Sequence, residues 1–248
     1  AWSGVFGSAS GATPTVTMPF GTHSISLTVE DGRGGTATDD VEITVDDTTP
    51  PTVDAGPDVT LQATSPDGAP YDANANVTFS DICGAVSISI SPTPVNYSLG
   101  STVVTVTATD TSGNSAQDTM TVTVEDTTPP ELSITATPDR LWPPNHNLIP
   151  IGVTPTVFDI ADPNPLVELF HVQSSEGDGV DTFDPMFDTT EVVGRKGGDI
   201  QLLDGQLFLR AERSGKGDGR TYEITYRATD ASGNSSEATA TVFVPHNQ

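Results

Sequence analysis

Acidic and amide side chains recur in matching turns of the chain and have the chemistry to bind a cation. Asp110 and Asn114 frame one Asp-x-x-Gly-Asn turn, and Asp230 and Asn234 frame another. Calcium takes about six to eight oxygen ligands from carboxylates, side-chain amides and backbone carbonyls, and it tolerates irregular loops. The same side chains also hydrogen-bond their own backbone in turns, so a purely structural role remains open. The sequence predicts calcium as the cofactor, with the candidate ligands Asp46, Asp47, Asp81, Asp110, Asn114, Glu125, Asp126, Asp159, Asp162, Asp230 and Asn234.

The charge of the chain is strongly acidic and unevenly distributed. The 248 residues include 34 acidic and nine basic side chains, which gives a formal net charge of −25 at pH 7. Between Arg33 and Arg140 lie 106 residues without a Lys or Arg, so no side-chain cation of this stretch can pair with its carboxylates. Folding brings these like charges together, and their repulsion opposes the compact state. Either the charges stay on a surface where salt screens them, or bound cations neutralise them locally. Such a chain lacks the basic patch that nucleic-acid binding needs.

Three segments align without gaps and define the repeat of the chain: residues 27–45, 106–124 and 226–244. Each contains an alternating apolar-polar segment, a Gly-containing turn and a second alternating segment, which predicts a β-hairpin. The first two copies continue into an Asp-Thr-Thr-Pro-Pro linker and are offset by 79 residues. The third copy follows the second by 120 residues, which indicates an insertion of about forty residues in the last repeat.

A repeat of this length, built from short alternating strands, predicts antiparallel β-sandwiches of immunoglobulin type. The paired prolines cannot donate ladder hydrogen bonds and therefore mark the ends of repeats. The predicted fold is all-β, with tandem immunoglobulin-like sandwiches arranged end to end. The predicted domains are an incomplete repeat at 1–47, a sandwich at 48–128, and a larger sandwich at 129–248 with an insertion at about 176–205.

Each repeat also carries motifs that resemble a known extracellular module. The middle repeat, with Asp81-Ile-Cys-Gly84 and the Asp-Thr-Thr-Pro-Pro linker, resembles a hyalin-repeat domain. The first repeat, with Pro19-Phe-Gly-Thr-His23, resembles the second half of a PKD-type domain. The last repeat, with Leu141-Trp-Pro-Pro-Asn-His146, is similar to an Ig-like module at the ends of bacterial exported proteins. These resemblances imply an extracellular repeat protein, but they imply no single activity.

Immunoglobulin topology predicts where the candidate ligands meet, because the B–C and F–G loops lie at the pole where the chain enters a sandwich. At the first junction this brings together the linker carboxylates Asp46 and Asp47, the turn at Asp81 and the hairpin turn 110–114. At the second junction the corresponding groups are Glu125, Asp126, Asp159, Asp162, Asp230 and Asn234. Residues 176–188 have the oxygen density of a calcium loop without EF-hand spacing, so they are either a further site or a solvated acidic loop.

The first repeat is shorter than the next and is expected to lack two or three strands of a sandwich. Its predicted strands are Trp2–Phe6, Thr15–Met18, Ser24–Val29 and Val41–Val45. A sandwich without its first strands exposes apolar side chains and unpaired strand edges. We therefore expect another polypeptide segment to cover it, either upstream residues of the same protein or a strand donated by another subunit. The remaining alternative is a collapsed first unit that is not Ig-like.

An enzyme finds little support in the sequence, and no catalytic residue is predicted. The chain has no Gly-x-Ser-x-Gly elbow, no His-Glu-x-x-His, no phosphate-binding loop and no Cys-x-x-Cys. Its histidines are scattered singly, and Cys83 stands alone where hyalin repeats often carry a cysteine pair. One cysteine cannot form an internal disulfide. Because its turn is flanked by apolar residues, we expect a small buried thiol at Cys83, with a reactive thiol or an intermolecular bridge as the alternative.

The sequence therefore favours a structural or adhesive segment of an exported, calcium-stiffened repeat protein: a stalk, an adhesin arm or a fibre subunit. The expected partners are neighbouring Ig-like domains or other copies of the chain, with glycans or surface proteins as further candidates. The alternative is a non-catalytic accessory region of a secreted hydrolase that binds or positions polysaccharide. The expected location is the cell surface or the extracellular space, without a membrane span, because no apolar run approaches the ~20 residues of one.

Overall fold

The computed structural model describes residues 1–176, 198–213 and 218–246, and it shows an all-β protein. The described residues form seventeen β-strands and no helix, and the registered strand pairs are antiparallel. The prediction of an all-β fold with antiparallel sheets is confirmed. The chain divides into two compact units, of which the first contains Ala1–Val59, Asp72–Pro94 and Thr102–Val122. The second contains Thr60–Tyr71, Val95–Ser101 and the chain from Thr123 onward.

The first repeat forms one four-stranded sheet. Its strands are β1 (Trp2–Gly4), β2 (Gly7–Ala9), β3 (Gly21–Glu30) and β4 (Thr36–Val45), in the order β2-β1-β3-β4. Ile25 is buried, whereas Val29 and Val41 are 57% and 47% exposed. The predicted strand at Thr15–Met18 was wrong, since this segment is irregular. Strand β2 was missed because Gly-Ser-Ala carries no alternating apolar pattern.

The middle repeat contains two sheets. Its strands are β5 (Thr52–Asp54), β6 (Val59–Gln62), β7 (Thr78–Ser80), β8 (Val86–Ser91), β9 (Gly100–Asp110) and β10 (Ser115–Glu125). One sheet has the order β6-β10-β9-β8 and the other pairs β5 with β7. Period-two alternation on β9 buries Val104, Val106 and Ala108. Gly68 has a φ of +103° and approaches Tyr97 so closely that a Cβ would lie 1.9 Å from the Tyr97 carbonyl oxygen, so this position requires glycine.

The last repeat is a two-sheet sandwich. Its strands are β11 (Glu131–Thr137), β12 (Leu148–Phe158), β13 (Leu166–Ser174), β14 (Ile200–Leu203), β15 (Gln206–Arg210), β16 (Gly219–Thr229) and β17 (Ser235–Pro245). The sheets have the orders β11-β12-β15-β14 and β13-β16-β17. Their inner faces share one core that includes Ile151, Leu209, Tyr222, Ile224 and Val244.

Long hairpins place the Asp-x-x-Gly-Asn turns at the ends of strands. Strands β16 and β17 pair without interruption from Gly219↔Pro245 to Thr229↔Ser235, so the turn from Asp230 to Asn234 lies directly beyond the ladder. The other such turn lies between β9, which ends at Asp110, and β10. The apolar alternation of each strand sets its register, and the register in turn fixes where each turn carboxylate stands.

A charged network is buried at the edge of the last core. The Arg220 guanidinium contacts the Asp199 carboxylate and donates to the Tyr222 hydroxyl at 3.0 Å. Arg210 Nε lies 2.9 Å from the other Asp199 oxygen, and Arg220 Nε lies 3.4 Å from Glu176 Oε2. Burial opposes the charge of Arg220, but hydrogen bonds with Tyr222 and Asp199 outweigh it and raise the pKa of this guanidinium above its usual value.

Candidate metal sites

Each Asp-x-x-Gly-Asn turn is closed by its own aspartate. Asp110 Oδ1 accepts hydrogen bonds from the backbone N–H groups of Ser112 and Asn114 at 2.9 and 2.8 Å, and Asp110 Oδ2 accepts from Asn114 Nδ2 at 2.8 Å. The turn at Asp230 repeats these contacts with Ser232 and Asn234 at 2.9, 2.8 and 2.9 Å. The turn role expected for these residues is therefore present in both hairpins.

The asparagine of each turn also holds the linker that precedes the repeat. Asn114 Nδ2 donates to the backbone carbonyl of Asp47 at 3.0 Å, and Asn234 Nδ2 donates to the carbonyl of Asp126 at 3.0 Å. The hairpin turn of the first repeat has Gly35 at this position, and its Asp31 accepts only backbone N–H groups there, at 2.7 and 2.9 Å. A side-chain amide is thus the feature that ties a turn to a linker.

The B–C turns provide the third carboxylate of each group. Asp81 Oδ2 accepts from the N–H of Cys83 at 3.0 Å. Asp159 Oδ1 accepts from the N–H groups of Ala161 and Asp162 at 2.8 and 2.7 Å. In both turns one carboxylate oxygen stabilises the local backbone, which fixes the direction of the side chain.

Two clusters of three carboxylates result. Oxygens of Asp47, Asp81 and Asp110 lie within 4.8 Å of one another, and so do oxygens of Asp126, Asp159 and Asp230. In each cluster a linker aspartate meets a B–C turn aspartate and an F–G turn aspartate, as the immunoglobulin topology predicts. Among the described residues, no Lys or Arg forms an ion pair with a carboxylate of either cluster.

The two clusters differ in burial. Asp126, Asp159 and Asp230 are 8%, 7% and 6% exposed, whereas Asp47 and Asp81 are only partly buried beside the buried Asp110. Asp126 Oδ2 and Asp159 Oδ2 are buried without a hydrogen-bond partner, and they are the only such side-chain atoms in the described part of the chain. An unpartnered buried carboxylate oxygen is costly, and a bound cation would satisfy it.

Local contacts shift the acidity of groups at the first cluster. Burial raises the pKa of the Asp110 carboxyl, but hydrogen bonds from Asn114, Ser112 and Gly113 together hold it below the usual value. Burial raises the pKa of the Cys83 thiol, and the negative charges of Asp47, Asp81 and Asp110 raise it further. Cys83 is partly exposed, so the expectation of a buried thiol was wrong. The negative charges of the cluster therefore act on the thiol, although Cys83 is not one of the cluster residues.

The remaining predicted ligands lie outside the two clusters. Asp46 and Glu125 are exposed and stand next to the cluster residues Asp47 and Asp126. Asp162 accepts from the N–H groups of Asn164 and Ala231 at 2.8 and 2.9 Å, so both of its oxygens stabilise turns. Asn114 and Asn234 face the clusters with their amide nitrogens as donors. The candidate loop at 176–188 lies, from residue 177 onward, outside the described residues.

One supporting residue of the second cluster was not anticipated. Gln62 Nε2 donates to Asp126 Oδ1 and to Thr128 Oγ1, both at 3.3 Å, and Gln62 Oε1 accepts from Thr127 Oγ1 at 2.8 Å. These contacts hold one oxygen of Asp126 and leave the other unpartnered. Gln62 sits on an ordinary alternating strand, so no local sequence signal distinguishes it.

The family comparison agrees with the architecture of the middle repeat. Residues 46–124 match the family model described as HYR domain. The middle repeat is similar to HYR domains. The hyalin-repeat resemblance is thereby confirmed for this repeat, and the chain is an Ig-like repeat protein. The PKD-like and bacterial resemblances of the flanking repeats remain predictions, and no curated protein sequence matches the chain.

The comparison with solved structures found segments of cadherin ectodomains. Protocadherin Gamma B2 extracellular cadherin domains 3-6 is 13% identical, with 90% of this chain and 56% of that chain covered and a TM-score of 0.34. Drosophila N-cadherin EC1-4 is 14% identical, with coverages of 90% and 57% and a TM-score of 0.26. The chain spans about half the length of these structures. No helix among the described residues is long and apolar enough to cross a membrane.

Proposed function

We propose that the chain is a structural, adhesion-type segment of an exported Ig-repeat protein, and that calcium bound by the two carboxylate clusters stiffens it. The observation that carries the proposal is the buried cluster of Asp126, Asp159 and Asp230 with its two unpartnered oxygens. The HYR match of the middle repeat supports the extracellular location. We expect no catalytic activity, and we propose neighbouring Ig-like domains or other copies of the chain as partners.

Electrostatic repulsion within the buried cluster supports a bound cation there. At an effective dielectric constant of about 20, two unit charges 4.8 Å apart repel each other by roughly 3.5 kcal/mol. Three such pairs amount to roughly 10 kcal/mol, as large as the whole stability of a typical domain, about 5–15 kcal/mol. A divalent cation among the three carboxylates turns this repulsion into attraction, and it stabilises the folded chain because the unfolded chain has no preformed cluster.

The donor set favours calcium over other divalent cations. All three groups of each cluster are carboxylates, and neither cluster contains an imidazole or thiol ligand of the kind that zinc prefers. The carboxylates come from a linker and two turns, and calcium accepts such irregular loops more readily than magnesium, which demands a near-ideal octahedron. Backbone carbonyls of the loops and water would complete the coordination.

The proposed roles of the residues follow from their contacts. Asp47 and Asp126 bring the linker to the cation, Asp81 and Asp159 bring the B–C turn, and Asp110 and Asp230 bring the F–G turn. Cation binding would then connect each linker to the two loops that it contacts, and it would restrict the conformational freedom of the linker. A segment whose linkers are fixed in this way suits a stalk, an adhesin arm or a fibre.

Thermal unfolding with and without calcium tests the proposal. The melting temperature is measured in excess calcium, in excess magnesium and in chelator, with the ionic strength held constant. We expect calcium to raise it well above the chelator value, since a ligand at about 100 times its Kd stabilises the folded state by about 2.7 kcal/mol per site. Equal melting temperatures in calcium and chelator would remove the metal sites, and a purely electrostatic screening effect would appear equally with magnesium.

A further inference from the structure

We infer that the two clusters are unequal: the Asp126–Asp159–Asp230 cluster is a tight structural cation site, and the Asp47–Asp81–Asp110 cluster is a weaker, exchangeable one. This inference rests on the proposed calcium function and adds an order of filling to it. It implies that the calcium level sets the stiffness of the chain in two steps rather than one.

Burial is the first ground for the difference. All three carboxylates of the second cluster are buried, whereas two of the three in the first cluster are partly exposed. Water around Asp47 and Asp81 screens the attraction between a cation and the carboxylates, and this attraction is stronger where the effective dielectric constant is lower. The second cluster has already lost its hydration on folding, so cation binding there has little water left to displace from the carboxylates.

The hydrogen bonding of the second cluster is the other ground. Asp159 Oδ1 is held by two backbone N–H groups and Asp126 Oδ1 by Gln62 and the N–H of Thr128, while Oδ2 of each has no partner. These two oxygens are held in place and have no hydrogen bond to give up. In the first cluster one oxygen of Asp81, Oδ2, likewise accepts a turn N–H, that of Cys83 at 3.0 Å. The difference is that no carboxylate oxygen of the first cluster is buried without a partner in the described residues.

Two matched variants separate the clusters. Asp159 and Asp81 occupy the same position in their B–C turns, and Asp→Asn keeps an oxygen that can accept the turn N–H while it removes the charge. Calcium binding is measured by titration calorimetry on the wild-type chain, on Asp159→Asn and on Asp81→Asn, and far-UV circular dichroism checks that each variant is folded. We expect two classes of site in the wild type, with Kd values at least tenfold apart. Asp159→Asn should remove the tight class and Asp81→Asn the weak one.

Europium luminescence gives a second measurement that does not depend on affinity. Eu³⁺ replaces calcium, and its excited-state lifetimes in H₂O and D₂O report how many water molecules coordinate the ion. We expect fewer water molecules for the site that survives in Asp81→Asn than for the one that survives in Asp159→Asn.

The outcomes distinguish this inference from the proposed function. Two sites of equal affinity, or a tight class that disappears in Asp81→Asn instead of Asp159→Asn, would overturn the order of filling and leave calcium binding intact. Equal hydration of the two europium sites would also contradict it. The absence of calcium binding to the wild-type chain would overturn both.

Discussion

The side-chain amide of Asn234 donates a hydrogen bond to the backbone carbonyl of Asp126 at 3.0 Å, across 108 residues of sequence. The same nitrogen donates to Asp230 Oδ2 at 2.9 Å. One amide group therefore holds the linker and the F–G turn of the buried cluster at a fixed separation. Asn114 makes the equivalent pair of contacts with Asp47 and Asp110 at the first cluster.

Removal of this amide should weaken both the fold and the proposed metal site. We predict that Asn234→Ala lowers the free energy of unfolding by about 1–3 kcal/mol, because two oxygens lose a donor in a partly buried site. Urea unfolding at fixed calcium measures the effect, and Asn74→Ala at an exposed position is the matched control. Indistinguishable unfolding of the two variants would contradict the prediction.

The variant Asn234→Asp distinguishes a positioning residue from a ligand. It supplies an oxygen ligand and an extra negative charge, but it removes both N–H donors. If Asn234 positions the linker, calcium affinity falls in Asn234→Asp as it does in Asn234→Ala. Unchanged or tighter binding in calorimetry would instead assign Asn234 as a direct ligand.

Cys83 is a natural reporter of the first cluster, because it is the only cysteine of the chain. Burial and the charges of Asp47, Asp81 and Asp110 raise the pKa of its thiol, and the thiolate is the reactive form. We predict slower alkylation at pH 8 in the folded chain than in urea, and faster alkylation when calcium neutralises the cluster. A maleimide time course with calcium and with chelator measures this. Asp81→Asn should raise the rate in chelator and abolish the response to calcium, whereas a calcium response that survives in Asp81→Asn would exclude the cluster as its origin.

Substitution of the buried Arg220 should destabilise the fold more than substitution of the partly exposed Arg227. Arg220→Met leaves Asp199 and Glu176 with less compensation in a buried network, and we predict a loss of about 3 kcal/mol or more in unfolding free energy. Arg227 is the control: it is partly exposed, pairs with Glu237 at 2.7 Å and lies over the Phe170 ring at 3.5 Å. Arg227→Met should therefore cost less, about 1–2 kcal/mol. Chemical denaturation of both variants in saturating calcium measures the difference. Equal losses would show that burial of the network contributes nothing.

Asp118 should contribute to the loss of folding stability at acidic pH. Hydrogen bonds from the backbone N–H groups of Ala55, at 2.8 Å, and of Thr119 hold the pKa of its carboxyl below the usual value. A lowered folded-state pKa gives stability that is present above the unfolded pKa of about 3.9 and is lost as the pH falls through the lower folded-state pKa. We predict that the urea midpoint of Asp118→Asn falls less steeply between about pH 5 and pH 2 than that of the wild type. A slope in Asp118→Asn equal to that of the wild type would contradict the prediction.

Much of the architecture follows from local sequence. Period-two alternation and Gly-containing turns predict the hairpins at residues 106–124 and 226–244, and both form as long β-hairpins. The same local chemistry places Asp110 and Asp230 in their turns, because a turn aspartate needs only nearby N–H groups. Immunoglobulin topology then predicts that linker and B–C carboxylates stand beside them, but it does not decide which candidate of each group takes part. Strand β2 escaped prediction, since its pairing with β1 depends on backbone groups rather than on apolar side chains.

The sequence by itself determined the all-β repeats, the acidic charge and the two junctions at which eleven candidate ligands were expected to gather. Only the tertiary structure decided that Asp47 and Asp126 turn towards the clusters while their neighbours Asp46 and Glu125 face solvent. Successive side chains of an extended segment point to opposite sides, and the packing of the linker selects which side faces the cluster. It also decided that Asn114 and Asn234 act as donors, because their acceptors come from a linker far away in sequence. Burial of the second cluster depends on how distant segments pack around it, and no local pattern encodes that packing.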